Sequence, residues 1–393
     1  MSQINNINRR NFISILGLGL GAVALSSTIS GCGETIPQLD YGWNGPAADV
    51  NDIRLKVLSY AMLCPNPHNK QPWVIQLTGT NSFELYVDPQ RLLPATDPIY
   101  RQIHIGQGTF LETLAIAATG LGHRANIKYF PAGMYSHSKL ENKPVAAITL
   151  VKEPGIETDP LFSQLLTRQS NKREYSKQPL TTDELNSLQT FHGPQSSSKL
   201  TLVDSTDAQQ KLTQVLTQAM KIEVGDRDRD AETIKMFRFN EAEVKKYRDG
   251  FGVAQAGLSG IKKLLVENLL LSRESVEKDP AAFGEEAVGM TQKAAASTAT
   301  FGWLITKTNS RLDQVLVGRE YCRINLQTTA MGLAQHPMSQ VLQEYPSMLP
   351  LQKEFKQHFN IPQSQTVQML FRLGRADATA HGPRRALNSI IKS

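Results

Sequence analysis

The sequence predicts an α+β protein made of two related halves, and three observations lead to this prediction. Residues 106–122 and 318–334 are helical segments of similar sequence, and β-type patterns lie beside each of them. A hydrophobic fraction of 40% with 20% charged residues is typical of folded proteins and excludes disordered and collagen-like chains. The β-type patterns, which are short and rich in β-branched and aromatic residues, occupy residues 73–77, 83–87, 145–151 and 366–373.

Charge and motif content exclude several classes of function. The 393 residues contain 42 Lys and Arg against 36 Asp and Glu, and because these charges form no basic stripe, nucleic acid is not an expected partner. Three cysteines cannot make a disulfide framework. The eight histidines are dispersed, and the sequence has no HExxH, CxxC or P-loop motif, so no metal site is predicted.

The first 32 residues predict export. Arg9 and Arg10 precede an apolar run at residues 13–29, and this pattern resembles the twin-arginine signal. The four residues that end at Cys32 resemble a bacterial lipobox, which would make Cys32 the lipidated N-terminus. The alternative is a single-pass anchor, although the run is rich in glycine and short for a hydrocarbon core of about 30 Å. The expected product is carried by the twin-arginine export machinery and tethered by lipid to the membrane on the periplasmic side.

The rest of the chain is predicted to form two halves, residues 45–160 and 161–393. Each of the two helical segments ends at a glycine suited to the αL conformation that closes a helix. Chance similarity is the alternative that the sequence leaves open. An offset of 212 positions makes five pairs identical: Gly106 with Gly318, Leu114 with Leu326, Ala118 with Ala330, Gly120 with Gly332, and Leu121 with Leu333.

A long helical stretch at about residues 208–306 has no counterpart in the first half. It contains the charged residues 226–230 and an amphipathic run through Ile261, Leu264 and Leu265. We interpret this stretch as an insert in the second half, which either closes over a site as a lid or packs on the repeat as a bundle.

The most distinctive loop of the sequence is PNPHNKQPW at residues 65–73. Its prolines restrict the backbone, and the amides of Asn69 and Gln71 suit recognition of a flat heteroaromatic edge. The alternative is an ordinary proline-rich turn whose Trp73 enters the core. The segment resembles the P-S-S-x-N-x-Q-P-W signature of the FMN-dependent nitroreductase family.

This resemblance implies where the rest of a cofactor site should lie. Members of the family are homodimers with FMN at the interface, where one subunit supplies an R-x-S-x-[KR] motif, a loop after the core helix and a basic C-terminal pair. The other subunit supplies the P-S-S-x-N loop. Carried over residue by residue, the implied FMN-binding residues are Pro65, Asn66, Pro67, Asn69 and Gln71 in the first half, and Arg168, Gln169, Ser170, Lys172, Pro337, Met338, Ser339, Arg384 and Arg385 in the second.

Each half carries only part of this set. The start of the first half, residues 52–55, lacks R-x-S, and the second half has no N-x-Q-P-W. The resemblance therefore implies a nitroreductase fold in which two halves are fused in one chain, a pseudo-dimer with one complete FMN site instead of two. It is closest to the fused, single-chain subgroup that includes mycobacterial dormancy-associated proteins.

By resemblance, the expected function is that of an FMN-dependent oxidoreductase. Flavin N5 would pass a hydride from a reduced donor, NAD(P)H or another small molecule, to an electron-poor acceptor such as a nitroaromatic or a quinone. No catalytic side chain is required, because the chemistry belongs to the cofactor. The FMN phosphate would pair with the basic residues Arg168, Lys172, Arg384 and Arg385.

The resemblance also implies contacts to the rest of the cofactor. Ser170 and Asn69 would bond ring or ribityl oxygens, and backbone groups of residues 337–340 would face the reactive edge of the flavin. Two departures from the family pattern affect that edge. Asn66 and Pro67 replace serines, and residues 339–340 are Ser-Gln where the family has an acidic residue and a glycine.

These departures keep other functions open. One alternative is a flavin-binding or flavin-sequestering lipoprotein, whose lid and altered loop prevent catalysis. Another is a scaffold that kept the fold and lost FMN.

Overall fold

The computed structural model of the chain describes residues 42–193, 195–267 and 271–392. The predicted export signal and Cys32 lie outside these residues. Two β-sheets and a set of α-helices make up the described chain, and the predicted α+β class is confirmed. None of the helices in these ranges is both long and apolar enough to cross a membrane.

The first half places a long helix beside an antiparallel sheet. Its strands are ordered β3-β4-β2-β1, and β1 and β2, which occupy two of the predicted β-type patterns, form a hairpin with Trp73 opposite Val87. Trp73 is fully buried, as expected for an apolar residue on the inner face of a strand. In chain order the elements are α1 (Ile53–Ala61), β1 (Trp73–Leu77), β2 (Ser82–Val87), α2 (Arg101–Gly120), β3 (His123–Tyr129) and β4 (Ala146–Lys152).

The second half repeats this arrangement with additions. Its strands are ordered β7-β8-β6-β5, which matches the order in the first sheet strand for strand. The short C-terminal strand β9 crosses to the first half and pairs in parallel with β1. In chain order the elements are α3 (Thr182–His192), β5 (Lys199–Val203), α4 (Thr206–Val224), α5 (Arg227–Met236), α6 (Glu241–Tyr247), α7 (Gly260–Leu265), α8 (Arg273–Lys278), α9 (Pro280–Ala296), β6 (Thr300–Thr306), α10 (Arg311–Ala330), β7 (Ala334–Pro337), α11 (Leu349–His358), β8 (Thr366–Gly374) and β9 (Ile391–Lys392).

The insert occupies the place of a hairpin turn. Residues 78–81 join β1 to β2, whereas residues 204–299 join the corresponding antiparallel pair, β5 and β6. The prediction that helix continues to residue 306 was wrong, because Thr300–Thr306 is strand β6. Every residue of β6 is buried, so its sequence shows no alternation and resembles that of a buried helix.

The central contact of the fold joins α2 and α10 at a pair of glycines. A Cβ added to Gly108 would lie 2.0 Å from the carbonyl oxygen of Val315, and one added to Gly318 would lie 2.0 Å from the carbonyl oxygen of Ile105. The contact is reciprocal and pairs positions 210 residues apart. The predicted offset of 212 was therefore wrong, because recurring Gly, Ala and Leu residues give matches at more than one register.

The same 210-residue relation holds along both helices. Arg101 of α2 donates to the carbonyl oxygen of Leu342 at 2.7 Å, and Arg311 of α10 donates to that of Ser136 at 3.0 Å. Each buried arginine thus begins its own helix and bonds the opposite half. Gly122 and Gly332 follow the two helices with φ of +72° and +69°, as the helix-closing glycines in the sequence predict.

We predict opposite effects for the same substitution at two helical glycines. Gly108→Ala should lower the free energy of unfolding by about 2 kcal/mol or more, because a methyl group cannot fit against the backbone of α10. Gly289→Ala, in α9, meets no atom within 4 Å and should raise it by about 0.5–1 kcal/mol. Urea unfolding measures both changes, and a Gly108→Ala protein as stable as the unsubstituted protein would contradict the close helix contact.

Candidate functional site

A cavity of about 1240 Å³ lies between the two halves and the insert. Twelve of the fourteen predicted cofactor-binding residues line it, and only Gln71 and Arg385 do not. The motifs are far apart in sequence and come from both halves. The structure therefore brings together residues that the resemblance implied should meet.

The Asn69 loop reaches the cavity through an unusual backbone. His68, Asn69 and Gln71 have φ of +49°, +50° and +53°, a region that residues other than glycine rarely adopt. The Asn66 side chain holds this turn by accepting a hydrogen bond from the backbone N–H of Gln71 at 2.8 Å. Strained backbone of this kind is typical of functional sites. A loop after helix α1 was predicted here, and the structure confirms it, with a short 3₁₀ turn at Pro67–Asn69.

The Asn69 side chain joins three parts of the chain. Its Nδ2 donates to the carbonyl oxygens of Gly250 at 2.9 Å and Pro383 at 2.8 Å, and its Oδ1 accepts from Arg384 Nη1 at 2.6 Å. The sequence led us to expect that this amide bonds a cofactor directly. In the structure its donors and acceptor already have partners in the protein, so Asn69 positions the loop, the insert and the C-terminal arm.

Two buried arginines converge at one end of the cavity. Arg168 Nη2 and Arg384 Nη2 donate to the same atom, the carbonyl oxygen of Leu63, at 2.9 and 3.1 Å. Both guanidinium groups also lie near the ring of Trp43, at 5.7 and 5.0 Å from its centroid. Their other partners are carbonyl oxygens and the side-chain oxygens of Asn325 and Asn69. Within residues 42–193, 195–267 and 271–392, neither arginine is paired with a carboxylate.

The lack of a counter-charge has electrostatic consequences. Burial and the positive charge of Arg168 lower the pKa of Arg384 to about 9, and burial also lowers the pKa of Arg168. Burial raises the pKa of the neighbouring Cys64 thiol to about 11, so Cys64 is a neutral neighbour. A bound anion would remove the repulsion between the two guanidinium groups. This end of the cavity is therefore suited to a phosphate.

Lys172, from the same motif as Arg168, lies further along the cavity. Its Nζ is 3.8 Å from the centre of the Phe251 ring, and burial together with Arg372 lowers its pKa to about 8. Gln169 and Ser170, which lie between Arg168 and Lys172 in the sequence, also line the cavity. Gln169 Oε1 also accepts a hydrogen bond from the backbone N–H of Thr379 at 2.7 Å, which ties this motif to the C-terminal arm.

The segment after α10 differs from the expected loop. Ala334–Pro337 forms strand β7, and the backbone N–H of Met338 donates to the carbonyl oxygen of Leu370 at 2.8 Å. This N–H, one of the backbone groups of residues 337–340 that the resemblance places at the flavin edge, is used within the protein. Ser339 and Gln340 line the cavity, and their N–H groups make no hydrogen bond within the described part of the chain. These two N–H groups therefore have no partner among the described residues.

Gln71 and Arg385 belong to the support of the site. Gln71 is fully buried, and its Oε1 accepts from the backbone N–H of Arg385 at 2.8 Å. The Arg385 guanidinium donates to the carbonyl oxygen of Gln71 and lies 3.7 Å from Asp88. The implied phosphate contact from Arg385 is therefore replaced by an internal one. Of the two adjacent arginines, only Arg384 lines the cavity.

Sequence reasoning missed the cavity's aromatic residues. Trp43 stacks on His381 at 4.0 Å and covers the basic end, while Phe237, Phe251 and Phe283 of the insert line the other side. The insert was predicted to be a lid or a bundle, and in the structure it both packs as a bundle and lines the cavity. No motif in the sequence marks these aromatic residues, because helical spacing alone does not separate cavity-lining residues from core residues.

The corresponding place on the other side of the α2–α10 contact is closed. Glu112, 210 positions before Cys322, is bonded there to Arg319 at 2.6 Å and Arg323 at 2.8 Å. Arg323 also pairs with Asp159 at 2.8 Å. The small depression in this region measures about 350 Å³. Carboxylates thus neutralise the basic residues on this side, whereas the arginines of the large cavity have none.

We predict that inorganic phosphate binds at the converging arginines. Phosphate should raise the melting temperature by about 2 °C or more over chloride at equal ionic strength. Arg168→Gln and Arg384→Gln should each remove most of this rise, whereas the neighbouring Arg385→Gln should keep it, since Arg385 does not line the cavity. Thermal unfolding followed by circular dichroism tests this, and an equal response in all four proteins would mean that phosphate acts only through the solvent.

Sequence comparison connects the chain to known proteins. A scan against models of protein families gives no match. Over 367 residues the chain is 25% identical to a Mycobacterium tuberculosis (strain H37Rv) protein named "Putative NAD(P)H nitroreductase", with 88% of this chain and 95% of that protein aligned. A second protein of the same strain and description, acg, is 31% identical over 82 residues, which are 21% of this chain and 24% of that protein.

Comparison with solved structures gives partial superpositions. NfnB, an FMN- and NADPH-dependent nitroreductase of a Sphigopyxis strain, has a TM-score of 0.37 at 14% identity over 60% of this chain and 99% of its own. A nitroreductase with bound FMN from Bacteroides fragilis has a TM-score of 0.33 at 11% identity over 58% and 95%. The sequence similarity to the first of these mycobacterial proteins extends over most of both chains.

Proposed function

We propose that this protein is an FMN-dependent oxidoreductase of the nitroreductase type. The observation that carries the proposal is the pair of buried arginines, Arg168 and Arg384, which meet at the Leu63 carbonyl oxygen without a carboxylate. The Asn69 loop, in a rare backbone conformation, stands beside them. The family resemblance and the names of the sequence relatives, which are described as NAD(P)H nitroreductases, support the same proposal.

We also propose that the two halves are the fused equivalents of two subunits. The identical strand order of the two sheets and the reciprocal Gly108–Gly318 contact support this origin. On this proposal the second interface site was lost when Glu112 filled it with ion pairs to Arg319 and Arg323. One complete site remains, as the distribution of motifs in the sequence implies.

The residues of the cavity fit FMN. Its volume exceeds the 300–1000 Å³ of most small-molecule sites, which leaves space for a second molecule beside the cofactor. Arg168 and Arg384 would hold the phosphate, which carries nearly two negative charges. The free N–H groups of Ser339 and Gln340 would donate to acceptor atoms of the ring. When bound, FMN supplies two-electron chemistry, taking a hydride equivalent from a reduced donor and passing it to an electron-poor acceptor.

The chain's own residues provide binding, orientation and exclusion of water. Trp43 covers the phosphate end, and the insert covers the other side with Phe237, Phe251 and Phe283. The donor is proposed to be NAD(P)H or another small reductant, and the acceptor a nitroaromatic or a quinone. Export through the twin-arginine machinery and lipid attachment at Cys32 on the periplasmic side remain part of the proposal, and the sequence of residues 1–32 supports them.

The covering insert favours a second candidate function, that of a flavin-sequestering protein. A covered cofactor is held but exchanges electrons slowly, because donor and acceptor must reach the flavin. Both candidates require the arginine pair, and they differ only in access to the ring.

The first prediction tests FMN binding. Protein incubated with FMN and desalted should keep a visible flavin band near one equivalent. Arg168→Ala should weaken the affinity by about 1.5–3 kcal/mol, roughly 10- to 150-fold, because a charged hydrogen bond is lost. Arg385→Gln is the matched control and should bind FMN as tightly as the unsubstituted protein. No retained flavin in a folded sample would contradict the proposed function.

The second prediction separates turnover from sequestration. Under anaerobic conditions, NADPH or a small artificial reductant should bleach the bound flavin within seconds, and 1,4-benzoquinone should restore the band. A sequestering protein should resist both reagents for many minutes while retaining FMN. Stopped-flow absorbance of the FMN-loaded protein measures both steps, and resistance to both would replace the oxidoreductase by the sequestering function.

A further inference from the structure

The two sides of the cavity differ in the sign of the charged residues that line them. Among the described residues, the lining outside the insert carries three cations and no carboxylate: Arg168, Lys172 and Arg384. The lining contributed by the insert carries five carboxylates, Glu223, Asp230, Asp279, Glu285 and Glu286, against the single cation Lys293. The proposed FMN phosphate accounts for the basic side. Nothing in the proposed function so far accounts for the acidic side.

Glu223 and Asp230 are the most deeply placed of these carboxylates. Their exposed fractions are 4% and 7%, and both line the cavity. Neither side chain forms a hydrogen bond or an ion pair with another described residue. Burial raises the pKa of Glu223 to about 7 and that of Asp230 to about 6, which reflects the lack of a neutralising partner.

The nearest cation is already engaged. Arg229 lowers the pKa of Glu223 only in part, because its guanidinium pairs with Asp226 at 3.0 Å and lies 3.8 Å from the Tyr345 ring centre. Other polar atoms of the lining also lack partners. The buried Oγ1 of Thr233 and Oε1 of Gln343 make no hydrogen bond in the described structure. Glu223, Asp230 and Thr233 of the insert, and Gln343 elsewhere in the lining, therefore offer oxygen atoms that have no donor.

Helix α5 directs its part of this surface toward aromatic rings. Asp230 and Thr233 lie at i and i+3 on one face of α5, Phe237 follows the end of the helix, and all three line the cavity. Phe237 contacts Phe283 at 5.3 Å and Phe251 at 5.7 Å between ring centres. The Nζ of Lys172 lies 3.8 Å from the centre of the Phe251 ring. A row of rings thus connects the acidic side to the basic side.

We propose that the insert side of the cavity binds the positively charged end of the electron acceptor, with Glu223 and Asp230 as its counter-charges. This inference rests on the proposed function, since it names the chemical class of the acceptor. The class is an electron-poor aromatic compound that carries an ammonium group. The ring would lie among Phe237, Phe251 and Phe283, and the ammonium group would meet the carboxylates and unpartnered oxygens.

The surroundings favour an organic cation over a metal ion. Aromatic faces next to carboxylates attract ammonium groups through the ring quadrupole and through charge. No group of three or more His, Cys, Asp or Glu side chains that could hold a metal ion occurs in the described ranges. The same carboxylates repel anionic acceptors. The site therefore disfavours binding of carboxylated nitroaromatics and favours binding of cationic ones.

Binding of a non-reducible probe gives a test that does not depend on turnover. Isothermal titration of the FMN-loaded protein with benzylammonium and with phenylacetate should show at least tenfold tighter binding of the cation. The double variant Glu223→Gln/Asp230→Asn should lose at least tenfold in affinity for the cation. Glu277→Gln, an exposed insert carboxylate outside the cavity lining, is the control and should change nothing. Equal binding of both probes, or unchanged cation binding in the double variant, would overturn the inference.

A half-reaction carries the test to the acceptor itself. FMN-loaded protein reduced with one equivalent of dithionite would be mixed with 4-nitrobenzylammonium or with 4-nitrophenylacetate, and flavin reoxidation followed against acceptor concentration. The ratio of half-saturating concentrations should shift at least tenfold toward the anion in the double variant, and an unshifted ratio would contradict the inference. FMN retention is measured alongside, because the carboxylates do not contact the arginine pair. Loss of FMN binding in all variants would overturn the proposed function, whereas retained FMN with no charge preference would overturn only this inference.

Discussion

Backbone contact between α2 and α10 at Gly108 and Gly318 is the constraint on which the rest of the structure depends. Two helices that touch through glycine have almost no freedom to slide, since any side chain at the contact would collide with the facing carbonyl. Each helix also supplies core residues to the opposite half. Ile105 of α2 packs in the hydrophobic core of the second half, and Val315 of α10 packs in that of the first half. The sheets are therefore fixed relative to one another, and the cavity between them has defined walls. Arg101 and Arg311, the first residues of α2 and α10, stabilise the same arrangement through hydrogen bonds to the opposite half.

Charge distinguishes the two sides of this central contact. Cys322 and Glu112 occupy equivalent places on α10 and α2. Cys322, with its pKa raised to about 12 by burial, remains a neutral thiol close enough to affect Arg168, whereas Glu112 neutralises Arg319 and Arg323. Keeping two guanidinium groups buried without a carboxylate is energetically costly, and proteins seldom retain such an arrangement without a ligand. The arginines of the cluster, Arg319 and Arg323, correspond to Thr109 and Thr113 at the 210-residue offset, so several side-chain differences between α2 and α10 separate the two sides.

Sequence patterns predicted the parts of the molecule whose signals are local. The hairpin around residues 78–81, the two long helices and the loop at Asn69 follow from alternation, helical periodicity and proline content. The family resemblance identified twelve of the residues that line the cavity, although they come from distant segments of the chain. The register of the repeat was wrong by two residues, because small residues recur along both helices and only the helix contact selects one register. Other features depend on tertiary packing, which no short pattern encodes. They are the choice of Arg384 and not Arg385 as the residue that lines the cavity, the protein partners of Asn69, and the position of the carboxylates Glu223 and Asp230 in the lining.

The place of the insert between β5 and β6 has a consequence for how such a site can change. Val203 and Phe301, at the two ends of the insert, face one another as a pair in the sheet, so the inserted segment leaves and returns at almost the same point. In the first half the same position is closed by residues 78–81 alone. The segment is nevertheless integrated into the second half, because Leu212 and Leu216 pack in its core and Gly250 accepts a hydrogen bond from Asn69. On the proposed function, cofactor retention depends on arginines outside the insert and the choice of reaction partner on carboxylates within it, so substitutions in separate stretches of the chain would change the two properties.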